Sequence, residues 1–305
     1  MTPEPVLSVV IPSWNTKDYL AACLRTLAAA EKPACEVIVV ENASSDGSLE
    51  LLRREHPEVQ LIVNASNQGF ARGSNQGLRV ARGRYVLLLN TDTEVAPDAI
   101  ARLVRFLDEH PDYGAVAPRL VHADGSTQRT VQEFPTLKTA LFFSTPFERW
   151  FPDSRELERY FLRAWDQESS RDVDQPPAAA LLLRKAMLDQ VGLFDESLWL
   201  FYNDVDLAKR MRAAGWKTRY LAEARVLHHV GASTSKFADF VATWQRDRLR
   251  YYAKHHGRLG AWWLKACVSF TFADWFLTQL GHRLRRRPAE PIRPMLAGYW
   301  TFLGQ

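Results

Sequence analysis

Four times in its first third, the chain runs a strand-length apolar segment straight into a polar one. Val6 to Ser13 (Val-Leu-Ser-Val-Val-Ile-Pro-Ser) comes first, with Pro12 expected to end it. Glu36 to Val40 runs into Glu41-Asn42-Ala43-Ser44-Ser45-Asp46-Gly47-Ser48, Leu61 to Asn64 precedes Asn67-Gln68-Gly69, and Tyr85 to Leu89 stops at Asn90-Thr91-Asp92-Thr93-Glu94. Helical-period segments separate them: Lys17 to Ala30 with Tyr19, Leu20, Cys23, Leu24 and Leu27 on one face, Leu49 to Glu55, and a helix opening near Asn75 and reaching Ala81. Apolar runs without alternation suit strands buried on both faces, and strand–helix alternation with short links suits a parallel sheet. In such sheets ligands bind beyond the carboxyl ends of the strands. Asp92 then stands at a strand tip. It is there either to hold a hard divalent cation or, with Asn90, to make the turn into a helix starting near Pro97.

A chain of 305 residues, 47% hydrophobic, can hold one large domain or two ordinary ones. Three cysteines, Cys23, Cys35 and Cys267, without CxxC spacing argue against a disulfide framework and favour a reducing compartment. No basic-then-apolar leader and no run of about 18 apolar residues is visible, so a cytoplasmic protein is expected, one that could sit at the inner face of the plasma membrane. The formal charge is +4, with Arg283-Leu284-Arg285-Arg286-Arg287 clustered late in the chain. That cluster suits an anionic membrane surface or polyphosphate better than sequence-specific nucleic-acid reading. No GxGxxG or Walker-type loop occurs.

The order Val-Ile-Pro-Ser-Trp-Asn, Glu-Asn-Ala-Ser-Ser-Asp-Gly-Ser, Asn-Gln-Gly-Phe-Ala-Arg-Gly-Ser-Asn-Gln-Gly and Leu-Leu-Asn-Thr-Asp-Thr resembles family 2 glycosyltransferases of the GT-A fold, with a rhamnosyltransferase-like bacterial flavour. Later segments extend the resemblance to about residue 235: Ala178 to Lys185, Val191-Gly192-Leu193-Phe194-Asp195-Glu196, Phe201-Tyr202-Asn203-Asp204-Val205-Asp206, and His228-His229-Val230-Gly231-Ala232-Ser233. The resemblance implies an α/β chain with a mostly parallel nucleotide-binding sheet flanked by helices over residues 1–235. The nucleotide half would take about 1–120 and the acceptor half 121–235. Residues 236–305 would form a helical, aromatic and basic extension.

It also implies roles. Pro12, Ser13, Asn15, Asn90 and Thr91 would line the nucleotide pocket, and Glu41, where the family usually has Asp, would accept the imide proton of uracil or thymine. Arg72 and Gly73 would offer a cation or backbone N–H groups to phosphate, unless Arg72 is an ordinary surface arginine. Asp92 is the surviving carboxylate of an Asp-any-Asp motif whose first position here is Asn90, and His228 is the matching imidazole for Mg²⁺ or Mn²⁺. Asp204 would be the general base, where Asn203 replaces a usual Glu; the same residue could simply cap a helix. Of Asp204 and Asp206 only one should face the substrate. Glu196 and Trp199, with Trp165 and Tyr202 as further aromatic candidates, could meet the acceptor.

From Phe237 onward, Trp244, Tyr251, Tyr252, Trp262, Trp263, Phe270, Phe272, Trp275 and Phe276 alternate with Arg and Lys. Helices lying flat on a bilayer look like this, and so do helices packed on a protein or on a second copy of the chain. The expected activity is inverting transfer of rhamnose or a hexose from a dTDP- or UDP-sugar to a saccharide or a lipid-linked saccharide. A nucleotidyltransferase and a catalytically silent sugar-nucleotide or glycan-binding protein are the alternatives.

Overall fold

The computed structural model describes residues 5–231, 240–288 and 292–305; Ser233 and the expected boundary at 235 lie outside the described residues. In chain order the elements are β1 (Leu7–Ser13), α1 (Lys17–Ala29), β2 (Cys35–Glu41), α2 (Ser48–Glu55), β3 (Gln60–Val63), α3 (Gly69–Val80), β4 (Tyr85–Leu89), β5 (Thr93–Val95), α4 (Ala99–Glu109) and β6 (Tyr113–Val121). Then come α5 (Leu137–Phe142), α6 (Pro146–Trp150), α7 (Arg155–Tyr160), β7 (Arg171–Asp172), β8 (Ala180–Arg184), α8 (Lys185–Val191), α9 (Asn203–Ala213), β9 (Lys217–His228), α10 (Phe240–Leu284) and α11 (Ile292–Leu303). The chain divides into two compact units, Met1–Gln132 with Trp165–Ala238, and Glu133–Ala164 with Asp239–Gln305. The stretch Glu133–Ala164 thus groups with the C-terminal helices, a pairing that a linear division of the sequence does not contain.

The first unit is built on one sheet in the order β3-β2-β1-β4-β8-β6-β9-β5, with β7 paired to β9. β1 to β4 are parallel, as are β6 and β9, whereas β8, between β4 and β6, and β5, at the end of the order, run antiparallel to their neighbours. Successive residues of β1 point to opposite faces, as a period of two requires. Val9 and Ile11 join Leu20, Leu24 and Leu27 of α1 and Leu103 and Leu107 of α4. Val10 joins Leu78 of α3, Met187 of α8 and Leu207 and Met211 of α9 on the other face. Both faces are therefore covered, which is why the runs read as continuously apolar.

Three local expectations are corrected. Pro12 lies inside β1, opposite Val40, because β4 pairs with β1 only as far as Val10 and asks nothing of the missing N–H. α3 begins at Gly69, six residues before Asn75, since Asn67 and the Trp199 carbonyl take its first N–H groups. The segment after Asp92 is not only a loop: Thr93–Val95 forms β5 against the end of β9.

In the second unit α10 is broken at Gly257, whose φ of 67° and ψ of −168° no helix accommodates. Before the break, buried Arg248 donates to the Ala140 and Phe143 carbonyls and lies against the rings of Phe143, Trp244 and Tyr252. Tyr252 donates its hydroxyl to the Thr136 carbonyl. After the break, Phe272 stacks on Tyr299 of α11 with centroids 4.3 Å apart, and Lys265 reaches the Leu303 carbonyl.

Candidate active site

The ends of β1, β2 and β4 open into a cleft lined by Pro12, Ser13 and Trp14, by Asn42, and by Asn90, Thr91 and Asp92, with Asn67, Gly69 and Phe70 at the start of α3 and Trp199 and Leu200 across from them. Polar residues in it are unusually well buried: Ser13, Asn42, Thr91 and Asp92 are each at most 5% exposed. Buried polar groups are normally paired. Asn42 is, accepting from Asn64 at 2.8 Å and donating to the Gly69 carbonyl at 3.3 Å. Ser13 Oγ and Asn90 Oδ1 are not: both are buried without a hydrogen-bond partner among the described residues. Orphaned polar atoms at the mouth of a cleft are what a ligand would satisfy.

Backbone architecture explains how the cleft is walled. Gly69 has φ +81°, and a Cβ there would stand 2.5 Å from the Trp199 indole. Only glycine lets the ring lie against α3, where the Trp199 carbonyl receives the N–H of Phe70 at 2.9 Å. Gly73, a turn later, makes room in the same way, since a Cβ would meet Asn42 Nδ2 at 2.8 Å. Asn203 anchors the Trp199 loop from the other side, donating to the Leu200 carbonyl at 2.9 Å.

β5 and β9 decide where the metal candidates go. Their register sets Thr93 opposite His228, and the His229 N–H donates to the Asp92 carbonyl at 2.8 Å. His228 Nε2 consequently lies 3.6 Å from Asp92 Oδ1. Gln128, which the sequence did not single out, clamps this histidine twice: its Oε1 is 3.0 Å from His228 Nδ1, and its Nε2 donates to the His228 carbonyl at 2.6 Å. With a proton on Nδ1, the Nε2 lone pair is left facing Asp92. His229 turns away to Glu94, 2.9 Å distant.

The pair meets the distance requirement of a cation site. Donors 3.6 Å apart can share one ion at about 2.1 Å from each, and the Asn90 amide oxygen is a further hard donor without a partner. No cluster of three or more His, Cys, Asp or Glu side chains exists among the described residues, so the protein offers an incomplete shell. An incomplete shell suits an ion that shares its coordination with substrate phosphates and water. The residues fit on those terms.

Asp204 is the second residue of α9, with most of its surface buried. Burial pushes its carboxyl above the usual range, against the opposing hydrogen bonds from the N–H groups of Val205, Asp204 itself and Ala178. The next residue, Ala179, receives the Asn90 N–H at 2.8 Å, so one short backbone segment joins the Asp204 carboxylate to the tip of β4. Asp206 is buried and paired with Arg210 at 2.9 Å.

The remaining candidates are placed differently. Glu41 accepts the Ala43 and Ser44 N–H groups at 3.0 and 2.7 Å, and Asn15 accepts the Ser45 N–H at 2.8 Å; neither lines the cleft. Arg72 lies within α3, its Nε 3.8 Å from Glu196. Glu196 is hydrogen-bonded by Asn75 and Arg79, which hold its carboxyl below the usual range. Trp165 packs edge-on against Tyr220 in the interior, and Tyr202 is also buried, so of the aromatic candidates Trp199 alone lines the cleft. Asn42, Trp14, Asn67, Gly69, Phe70 and Leu200 join the site unforeseen; all but Leu200 fall in the strand-end and loop segments that carried the resemblance.

Comparison with known proteins follows the same lines. The family model described as glycosyl transferase family 2 matches residues 8–189. N-acetylglucosaminyl-diphospho-decaprenol L-rhamnosyltransferase of Mycobacterium tuberculosis is 26% identical over 274 residues, covering 85% of this chain and 86% of the relative. The mannosyltransferase PcManGT from Pyrobaculum calidifontis, solved with GDP-Man and Mn²⁺, superimposes with a TM-score of 0.53 at 18% identity, covering 99% of this chain and 86% of that one. TarS of S. aureus superimposes with a TM-score of 0.54 at 18% identity, covering 87% of this chain, which spans 43% of TarS. At such identities the structural likenesses speak for the fold alone. The chain belongs to glycosyltransferase family 2 and has the GT-A fold.

Proposed function

We propose that this chain is a metal-dependent, inverting glycosyltransferase that moves rhamnose or another hexose from a dTDP- or UDP-sugar to a saccharide acceptor carried on a lipid, in cell-surface glycan synthesis at the inner face of the plasma membrane. The carrying observation is the approach of His228 Nε2 to Asp92 Oδ1 at the tip of β4. The lipid-linked acceptor and the rhamnosyl donor draw support from the mycobacterial relative, which bears both in its name.

Transfer needs a base for the acceptor hydroxyl and neutralisation of the departing diphosphate. Asp204 is the base: a carboxyl whose pKa is raised by burial binds a proton more strongly than a solvated one, which is what accepting the hydroxyl proton asks of it. The acceptor oxygen gives its proton to Asp204 as it bonds to the anomeric carbon, and the bond to the diphosphate oxygen breaks with its electron pair leaving on that oxygen. One carboxylate on one side of the sugar is the arrangement for direct displacement, hence inversion. A divalent ion held by Asp92 and His228 supplies charge neutralisation to the leaving diphosphate. Pro12, Ser13, Asn90 and Thr91 hold the nucleotide, with the free Ser13 and Asn90 oxygens as acceptors or ligands. Glu41, next in the chain to the cleft residue Asn42, keeps lone pairs beyond its two backbone bonds and is our candidate reader of the pyrimidine imide at the cleft's margin, with Asn15 bracing the same turn. Arg72 serves the phosphate side as a cation, Gly73 inside α3 gives room to Asn42 rather than an N–H to phosphate, and Trp199 and Glu196 serve the acceptor side.

The test is nucleoside diphosphate release from dTDP-rhamnose and a panel of UDP-sugars with a polyprenyl-diphosphate saccharide, with Mn²⁺ and with excess chelator. Metal-dependent release of dTDP or UDP together with glycosylated lipid is expected. Pyrophosphate release would mark a nucleotidyltransferase, binding without turnover across the panel a silent binding protein, and undiminished turnover in chelator would remove the metal from the scheme.

A further inference from the structure

Beyond Gly257, one side of α10 carries two solvent-facing apolar patches joined by a covered apolar middle. Leu259, Trp262 and Trp263 are 83%, 67% and 40% exposed, and Leu277, Leu280 and Leu284 are 65%, 42% and 77% exposed. At 3.6 residues per turn, Leu277 stands about five turns directly along the helix from Leu259, and Leu280 the same distance from Trp262. All six therefore share one side. The middle of the stripe is also apolar: Phe270 lies on it, covered by Trp150 with ring centroids 5.8 Å apart, and Trp150 is itself half-exposed. Leu264, on the far side, is fully buried in the unit.

Large apolar side chains in a row on a soluble surface mark a contact. Its charge tells which kind. From Arg258 to Pro288 the only carboxylate is Asp274, and Arg149 pairs with it at 3.2 Å. Basic residues are plentiful there, with Arg285, Arg286 and Arg287 exposed directly after the stripe ends. A homotypic protein contact would set one basic stretch of helix, its only carboxylate already paired, against another. Among the described residues no helix is long and apolar enough to cross a membrane. Trp and Leu on one side, arginines at the end and no unpaired acid are the composition of a helix lying in the headgroup layer of an anionic bilayer.

We propose that this face of α10 docks on the surface of an anionic phospholipid membrane, with Leu259, Trp262, Trp263, Leu277, Leu280 and Leu284 in the acyl boundary and Arg285 to Arg287 on the phosphates. The docking stands apart from the catalytic assignment, since it needs neither nucleotide nor acceptor.

Vesicle co-sedimentation of the full chain tests it, using phosphatidylcholine with and without about a third phosphatidylglycerol, at low and high salt. Binding to the anionic vesicles alone, weakened by salt, is expected. Replacing Arg285, Arg286 and Arg287 with Gln should lower the partition coefficient on the order of a hundredfold, at about fivefold per basic residue near the surface. Trp262→Ser with Leu277→Ser should abolish it while the melting temperature and nucleotide binding stay put, because both side chains already face solvent. Absence of binding to anionic vesicles, or equal binding by the variants, overturns the proposal. So does a concentration-dependent dimer that the same substitutions dissociate, because the stripe would then be covered by a second copy. A chain that binds vesicles but turns over no sugar would overturn the proposed function and leave the docking intact.

Discussion

The cleft at the tips of β1 and β4 and the outer face of α10 invert the ordinary partition of side chains in opposite senses. In the cleft, Asn42, Thr91 and Asp92 are polar and buried, as is Gln128 behind His228; on α10, Leu259, Trp262 and Leu277 are apolar and exposed. Each departure has a cost, desolvation in the first case and hydrated apolar surface in the second. The first is offset within the fold by a hydrogen-bond web around Asn42 and His228. The second is offset by nothing in the unit, so its compensation must come from outside the chain. Comparing the two separates a site that is preorganised from a surface that awaits a partner.

The sharpest way to break this comparison is at Asp204. Asp204→Asn should lower kcat on the order of a thousandfold in a coupled nucleotide-release assay while nucleotide affinity is kept. The wild type should lose activity as pH falls through the raised Asp204 pKa, because the protonated carboxyl cannot accept the acceptor's proton. Stability runs the other way. A carboxyl whose folded pKa is raised destabilises the fold as pH rises from its ordinary value to the raised one, and that loss persists above it. Asp204→Asn should thus melt higher than the wild type at neutral pH, a trade of stability for function readable by calorimetry.

Leucines on the two sides of α10 give the next largest contrast. Leu264→Ala, on the buried side, should cost about 2–5 kcal/mol in urea unfolding, and Leu277→Ala, on the stripe, within about 0.5 kcal/mol. Equal losses would mean that the stripe is packed after all. Gln128→Ala leaves the proposed ligands in place but frees the His228 ring, so Mn²⁺ affinity measured by calorimetry with UDP present should fall about 10–100-fold. Unchanged affinity would make Gln128 a packing residue. Gly69→Ala should destabilise by about 1–3 kcal/mol through its left-handed backbone, and should displace the Trp199 ring, a change visible in tryptophan fluorescence.

Much of this was legible along the chain. β1, β2, β3 and β4 follow from apolar runs bounded by polar turns, and α1 and α2 from apolar spacing. The strand ends after β1 and β4 were legible as cleft residues too, in Pro12, Ser13, Asn90, Thr91 and Asp92, whereas after β2 the expected Glu41 stands beside the cleft and Asn42 lines it. Gln128 was not. Nothing in Ser-Thr-Gln-Arg-Thr distinguishes a glutamine that clamps a histidine 100 residues away from one on a loop. β5 was missed for a related reason: three residues have too little period to announce a strand, and their partner is the far end of β9. Nor could periodicity divide the aromatic residues of α10 into the buried Tyr251 and Tyr252 and the exposed Trp262, because both sets are apolar and both have neighbours at helical spacing.

By itself, then, the sequence determined the alternating architecture, the end of the sheet at which chemistry gathers and the residue types available there, since these depend on local hydrophobic period and turn composition. Tertiary structure alone decided that His228 meets Asp92, that Asp206 is taken by Arg210 while Asp204 is joined through Ala178 to the tip of β4, and that one side of α10 stays uncovered. The physical reason is that pairing across a sheet and burial against a neighbouring helix are contacts between residues far apart in the chain. Their partners are chosen by register and packing, which no window of local sequence encodes.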